Sequence, residues 1–168
     1  KNNRSRNIVQ TATNGLDPAT AFSRQSYVGA KFSLIADTRD NRIMPMKGIF
    51  WQTSVRHLSG LNDASYEVTQ LNSDLSIHLQ LVKKKLVLVN RIGVGHNFGD
   101  FEFYQAQYLG GEDHLRGYRK YRFAGRSQFY NNLEMRIGLA NFKTYLFPGS
   151  LGLLAFYDTG RIWADNDD

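Results

Sequence analysis

The stretch LNSDLSIHLQL, residues 71–81, decides the fold class. Leu71, Leu75, Ile77, Leu79 and Leu81 alternate with Asn72, Asp74, Ser76, His78 and Gln80. A period of two puts apolar side chains on one face of an extended chain and polar ones on the other, whereas a helix needs a period of 3.6. NNLEMRIGL (131–139) repeats the pattern, with Leu133, Met135, Ile137 and Leu139 against Asn132, Glu134, Arg136 and Gly138. SLGLLAFYDTGRIW (150–163) sets Leu151, Leu153, Ala155 and Tyr157 opposite Gly152, Leu154, Phe156 and Asp158. Three further stretches are strand-like: YVGAKFSLIADTR (27–39), GIFWQTSVRHL (48–58) and KLVLVNRIGVG (85–95). Turn signals such as DNRIMPMKG, SGLNDAS and NFKTYLFPGS separate them, and no stretch shows a helical period. The expectation is an all-β chain, an antiparallel meander of about six strands. Residues 1–26 are read as a loop or ragged strand, and residues 27–168 carry the meander.

Two settings suit strands of this kind. A soluble sandwich hides the apolar faces against a second sheet, and a membrane barrel turns them toward lipid. Periodicity alone leaves both open. Aromatics make up 13% of the 168 residues, against only 3 prolines, which argues against disorder. The formal charge of +6 suits a phosphate-bearing partner or an anionic membrane surface, and equally the loops and inner walls of a barrel. There is no cysteine, which excludes disulfides and thiolate metal sites, and the four histidines have no metal-ligand spacing. No metal or cofactor is therefore expected. No apolar run approaches the roughly 20 residues of a membrane-spanning helix. The opening KNNRSRNIVQ has no apolar core, so any export signal is expected upstream. WADNDD reads as a cut within a loop.

Four motifs invite a chemical reading. Asp158-Thr159-Gly160 carries the catalytic carboxylate in aspartic proteases, but that chemistry needs two carboxylates sharing a proton. Only one copy exists here, and Arg161 beside it favours the ionised form of Asp158. GVGHNFG (93–99) lacks the spacing and the following helix of a dinucleotide loop, since DFEFYQAQYL (100–109) reads as more strand. Lys83, Lys84 and Lys85 read as a solvated turn. GGEDHLRGYRKYRFAGR (110–126) interleaves Arg116, Arg119, Lys120, Arg122 and Arg126 with Tyr118, Tyr121 and Phe123, as single-strand nucleic-acid platforms do. Its place in a loop, away from the open face of a small sheet, argues against nucleic acid. No enzyme activity is expected.

The order of the pieces is more specific than any one of them. Asp37, Arg39 and Asp40 with Pro45 and Gly48 form D-x-R-D-N-x-x-x-P-x-x-G. There follow G-G-x-x-x-L-R-G-Y around Leu115, Arg116, Gly117 and Tyr118, then N-N-x-E-x-R, then F-x-D-x-G-x-x-W. This series resembles the C-terminal barrel of the BamA/TamA-type outer-membrane assembly and translocation family, over about Tyr27 to Trp163. The wording of the last two motifs resembles the Bacteroidetes branch. The resemblance implies a barrel of 16 strands in the outer membrane of a Gram-negative bacterium. Its implied partners are outer-membrane lipids, unfolded or exported client proteins, and accessory periplasmic or lipoprotein subunits. It also implies that the long loop folds back into the lumen, with Arg116 meeting Glu134, Phe156 and Asp158 on the wall. Gly117 would let the backbone turn tightly there. The Asp37–Gly48 motif would be a periplasmic turn. Six strands of roughly 9–11 residues cannot close such a barrel, and the resemblance implies that they are roughly strands eight to thirteen of the family's plan. Two other readings stand beside it: a barrel that anchors a fused enzyme, and a soluble basic β-domain that binds nucleic acid.

Overall fold

The computed structural model describes residues 24–62, 65–83, 85–143 and 148–164. Its strands are β1 (Tyr27–Asp37), β2 (Gly48–Gly60), β3 (Val68–Val82), β4 (Leu86–Gly99), β5 (Gln107–Leu109), β6 (Phe123–Gly125), β7 (Ser127–Lys143) and β8 (Pro148–Trp163). Six of them form one antiparallel sheet in the order β1-β2-β3-β4-β7-β8, a meander in which each strand pairs with the next. The sheet does not close on itself, as expected of part of a barrel. β5 and β6 make a separate two-stranded ribbon within the long connection from β4 to β7.

The strands run longer than the expected spans. β3, β4, β7 and β8 have 15, 14, 17 and 16 residues, enough to cross about 30 Å of hydrocarbon and project beyond it. DFEFYQAQYL departs from its reading as strand. Phe103–Gln105 forms a 3-10 turn, closed by a reciprocal capping box between Glu102 and Gln105, and within this segment only Gln107–Leu109 pairs as a strand. The side-chain bonds of that box draw the chain into a turn that the apolar alternation of the segment does not reveal. The reading of residues 1–26 falls almost wholly outside the described residues.

Burial separates the two settings left open by periodicity, because it is inverted. The best hidden side chains include polar ones: Asn97, Gln105 and Gln107 are 0%, 6% and 5% exposed. The apolar face lies bare, with Phe32, Leu153 and Tyr157 at 71%, 59% and 67%. A sandwich would bury that apolar face under a second sheet. Here the second layer, residues 100–126, covers the polar face instead. Polar groups on the bare face are paired across strands: Thr53 with Ser73 at 2.8 Å, and Asn131 Nδ2 donating to Asn90 Oδ1 at 2.9 Å. Trp51 Nε1 also donates to Ser73. Such pairing is what a lipid-facing wall requires, since hydrocarbon offers no partner.

Register explains how the covered face accepts a second layer. Gly93 on β4 lies opposite Tyr130 on β7, and a Cβ at Gly93 would sit 2.1 Å from the Tyr130 ring. Gly95 leaves room for the amides of Asn72, Gln107 and Gln128 in the same way. Glycine inside a strand marks a close approach, and both positions hold a side chain from another element in the gap. Gly93→Val should displace the buried Tyr130 ring and lower stability by about 1–3 kcal/mol. The urea midpoint of the full-length barrel in detergent measures this, and Tyr130→Ala in the same chain should recover part of the loss.

Candidate functional site: an arginine loop fastened to the sheet

The connection 100–126 is seated at two levels. At its stem, Asn97 is the hub of an amide network. Its Nδ2 donates to the Gln105 carbonyl at 2.8 Å, and its Oδ1 accepts from Gln107 Nε2 at 2.7 Å. Gln70 Nε2 donates to the same Gln105 carbonyl, and Gln128 Nε2 donates to Gln107 Oε1. Arg126 closes the stem by donating to the carbonyls of Asn97 and Gly99, with its guanidinium 4.9 Å from the Phe101 ring centroid. Below the stem, Leu109 and Leu115 pack on Tyr130 and Ile162 in a small apolar cluster.

Arg116 lies at the second level, where the structure brings it against Glu134, Phe156 and Asp158. Its Nε and Nη2 donate to the two Asp158 oxygens at 2.8 and 2.7 Å, and its backbone N–H donates to Asp158 Oδ2 at 3.1 Å. Nη1 donates to Glu134 Oε2 at 2.8 Å. The guanidinium carbon lies 3.9 Å from the Phe156 ring centroid. Glu134 and Phe156 are direct cross-strand partners, as are Asn132 and Asp158, so β7 and β8 present the acceptors in register. A planar fork can bond a carboxylate twice while its face rests on a ring, which an ammonium cannot do. The Asp158 bonds, and secondarily Glu134, hold the Arg116 guanidinium still more firmly in its charged form than an ordinary arginine.

The neighbouring residues of the motif have other tasks. Leu115 is buried in the cluster. Tyr118 is exposed, and its carbonyl accepts from Gly111 N–H at 3.0 Å. Gly117 lies in a tight turn, closed by the Tyr118 N–H donating to the Leu115 carbonyl at 3.1 Å, but that turn does not use glycine's conformational freedom. Gly117 is absent from the positive-φ residues, and a Cβ there would meet nothing within 4 Å. Glycine freedom is used instead at Gly110 and Gly111, with φ of 119° and 87°, where the loop folds back on itself. Arg119, Lys120 and Arg122 are exposed.

The β1–β2 turn holds itself together. Arg39 bonds Asp37 through Nε and Nη2, both at 2.8 Å, and its guanidinium lies 4.4 Å from the Phe50 ring centroid. Asp40 Oδ1 accepts the N–H groups of Met46 and Lys47, which keeps its carboxyl below the usual carboxylate range. Gly48 has φ 114° and so re-enters the sheet in a conformation glycine favours. Pro45 is buried, and its carbonyl lies 3.5 Å from Arg136 Nη1. Arg136 Nε donates to Glu134 Oε1 at 2.5 Å. Turn and loop are thus joined through Pro45, Arg136, Glu134, Arg116 and Asp158. A cavity of about 350 Å³ lies between them. His78 Nδ1 and Asn132 Oδ1 are buried in residues lining it, without a protein partner among the described residues, so it is a place for water.

A second clasp was not legible as a motif. Arg91 on β4 donates through Nε and Nη2 to Asp74, and through Nη1 to the Asp113 carbonyl of the loop at 2.9 Å. Tyr130 OH also donates to Asp74, and the His114 ring lies 4.5 Å from that of Tyr130. Asn132 Nδ2 holds the His114 carbonyl at 2.6 Å. The one sequence signal was Gly93 within an apolar strand, a mark of close backbone approach. The described residues contain no cluster of three or more metal-ligating groups, and Asp158 of the DTG tripeptide is occupied by Arg116.

Residues 3–168 match the Omp85 superfamily domain. The chain belongs to the Omp85 superfamily. Its members are outer-membrane β-barrels of Gram-negative bacteria or organelles that insert or translocate client proteins, working with accessory subunits and without covalent chemistry of their own. No curated protein matches this Omp85 chain.

Two outcomes test the geometry. Arg116→Ala in the full-length protein should cost up to about 3–5 kcal/mol, less where cavity water screens the pair, because Asp158, only 7% exposed, loses its charged partner and keeps the Asn132 amide at 2.8 Å. Arg116→Lys, which keeps charge but not the fork, should fall between that variant and the wild type in resistance to heating on gels. Burial, and then Arg91, lower the His114 pKa, with Asp74 and Asp113 opposing. The folded state therefore disfavours the imidazolium. The seating of the loop should be complete above the unfolded histidine value of about 6.5 and weaken as pH falls below it. Protease cleavage within 110–126 should rise over that interval in the wild type and stay flat in His114→Gln.

Proposed function

We propose that residues 27–168 are an internal segment of a 16-stranded outer-membrane barrel, strands eight to thirteen, in a Gram-negative protein insertase or translocase of the Bacteroidetes type. The apolar face meets lipid and the loop-covered face lines the lumen. The Asp37–Gly48 turn then lies at the periplasmic mouth, and the 100–126 loop enters from the outer side. The observation that carries this reading is Arg116, joined to Asp158 and Glu134 on two adjacent strands from a loop that covers only the polar face. A loop so fixed braces the inner wall while the barrel works. Clients and accessory subunits are engaged by the protein as a whole.

Reconstitution tests it. Full-length protein in liposomes should speed the folding of a urea-unfolded β-barrel client into a protease-protected, heat-modifiable form, and Arg116→Ala should slow it. No acceleration by the wild type, with its accessory subunits supplied, would leave the chain as a barrel that anchors another domain.

A further inference from the structure

The cations of the loop fall into two groups, one compensated at the wall and one exposed. Where the loop meets the sheet, its Arg116 is matched by Asp158 and Glu134, and the turn and wall arginines around that contact are matched as well: Arg39 by Asp37, Arg91 by Asp74 and Arg136 by Glu134. Residues 118–123, by contrast, are all exposed. Arg119, Lys120 and Arg122 there form no ion pair with any carboxylate among the described residues. The charge of Arg116 is thus met at the wall, whereas three cations stand together within residues 118–123, apart in sequence from the exposed loop acids Glu112 and Asp113.

That exposed stretch is also held in shape. Arg122 N–H donates to the Arg119 carbonyl at 3.2 Å, and Tyr121 sits between them at φ 58°, a conformation that non-glycine residues seldom adopt. Tyr118 and Phe123 meet edge to face with centroids 5.1 Å apart, as do Tyr108 and Tyr121. Lys120 lies 5.1 Å from the Tyr121 centroid and Arg122 lies 5.9 Å from that of Phe123. Cations are thus set beside ring faces on a backbone that need not rearrange to bind.

We infer that this tip, Tyr118 to Phe123, is a binding surface for acidic, extended stretches of polypeptide passing through the barrel. The inference rests on the insertase or translocase reading and names a substrate chemistry for it. An unfolded chain presents carboxylates and apolar side chains together, and forks beside aromatic faces accept both. Exposed ion pairs are individually weak, so the hold is brief and reversible, as a chain in transit requires.

The test uses the full-length protein in nanodiscs and two labelled, unstructured peptides, one rich in Asp and Glu, the other with Asn and Gln in their place. The triple variant Arg119→Gln/Lys120→Gln/Arg122→Gln leaves the Arg116 contacts intact and should keep the heat resistance of the wild type. The acidic peptide should bind it about tenfold more weakly, with a flattened salt dependence. The neutral peptide should be unaffected. Lys120→Glu alone should weaken the acidic peptide further than Lys120→Gln. Equal effects on both peptides, or none, would overturn the inference, as would tighter binding of a single-stranded oligonucleotide or a phosphorylated lipid. If the wild type accelerates client folding but the peptides are not distinguished, the inference fails and the proposed function stands. If it accelerates no client but the variant still loses the acidic peptide, the surface stands and the proposed function fails.

Discussion

Everything on the covered face depends on one guanidinium finding two carboxylates at once. Asp158 and Glu134 sit on neighbouring strands of one sheet, close enough that two uncompensated negative charges would repel in so sheltered a place. Arg116 turns that repulsion into a clamp, with Phe156 beneath its plane and Arg136 supporting Glu134 from the other side. The cluster contains two acids and two arginines, so its formal charge closes. The arginine comes from the loop and the acids from the wall, so the neutral state exists only when the loop is seated.

The same logic sets the rest of the architecture. A membrane wall has no hydrophobic gain to draw from its lipid face, where side chains leave one apolar medium only to meet another. Cohesion must come from ladder hydrogen bonds and from what the polar face can bury. The amide network around Asn97 and the clasp from Arg91 through Asp74 to Tyr130 supply a polar interior in which nearly every donor finds an acceptor. Such a network specifies one position for the loop, because a half-made version would strand buried amides.

Some of this was legible in the sequence, and the boundary is physical. Alternation in 71–81, 131–139 and 150–163 shows on which side each residue lies, because the pleat leaves no other choice. It cannot say which side meets lipid, since a sandwich and a barrel share the pattern. Only the inverted burial separates them. Only the family resemblance joins Arg116 to Glu134, Phe156 and Asp158, since no rule of spacing links a loop residue to strand positions 18 and 42 residues away. The Arg91 clasp leaves no motif in the sequence, because Arg91, Asp74 and Tyr130 are ordinary members of their strands. DFEFYQAQYL misled for a related reason: its apolar spacing matches a strand, while a capping box between Glu102 and Gln105 bends it.

The glycines at 93 and 95 carry a consequence for inheritance. They are defined by absence, for each is the imprint of a side chain that belongs to another element. The loop cannot therefore be exchanged as a module. Moved onto a wall bearing ordinary residues at those two places, residues 100–126 would bring Arg116 and its motif intact, yet a side chain at 95 would meet Gln107 and one at 93 would displace the Tyr130 ring under Leu109 and Leu115. The wall, conversely, would keep its acids with nothing to receive. Gly95 admits Gln107 of the loop directly, and Gly93 admits Tyr130 of β7, on which Leu109 and Leu115 of the loop rest, so loop, β4 and β7 are bound to change together.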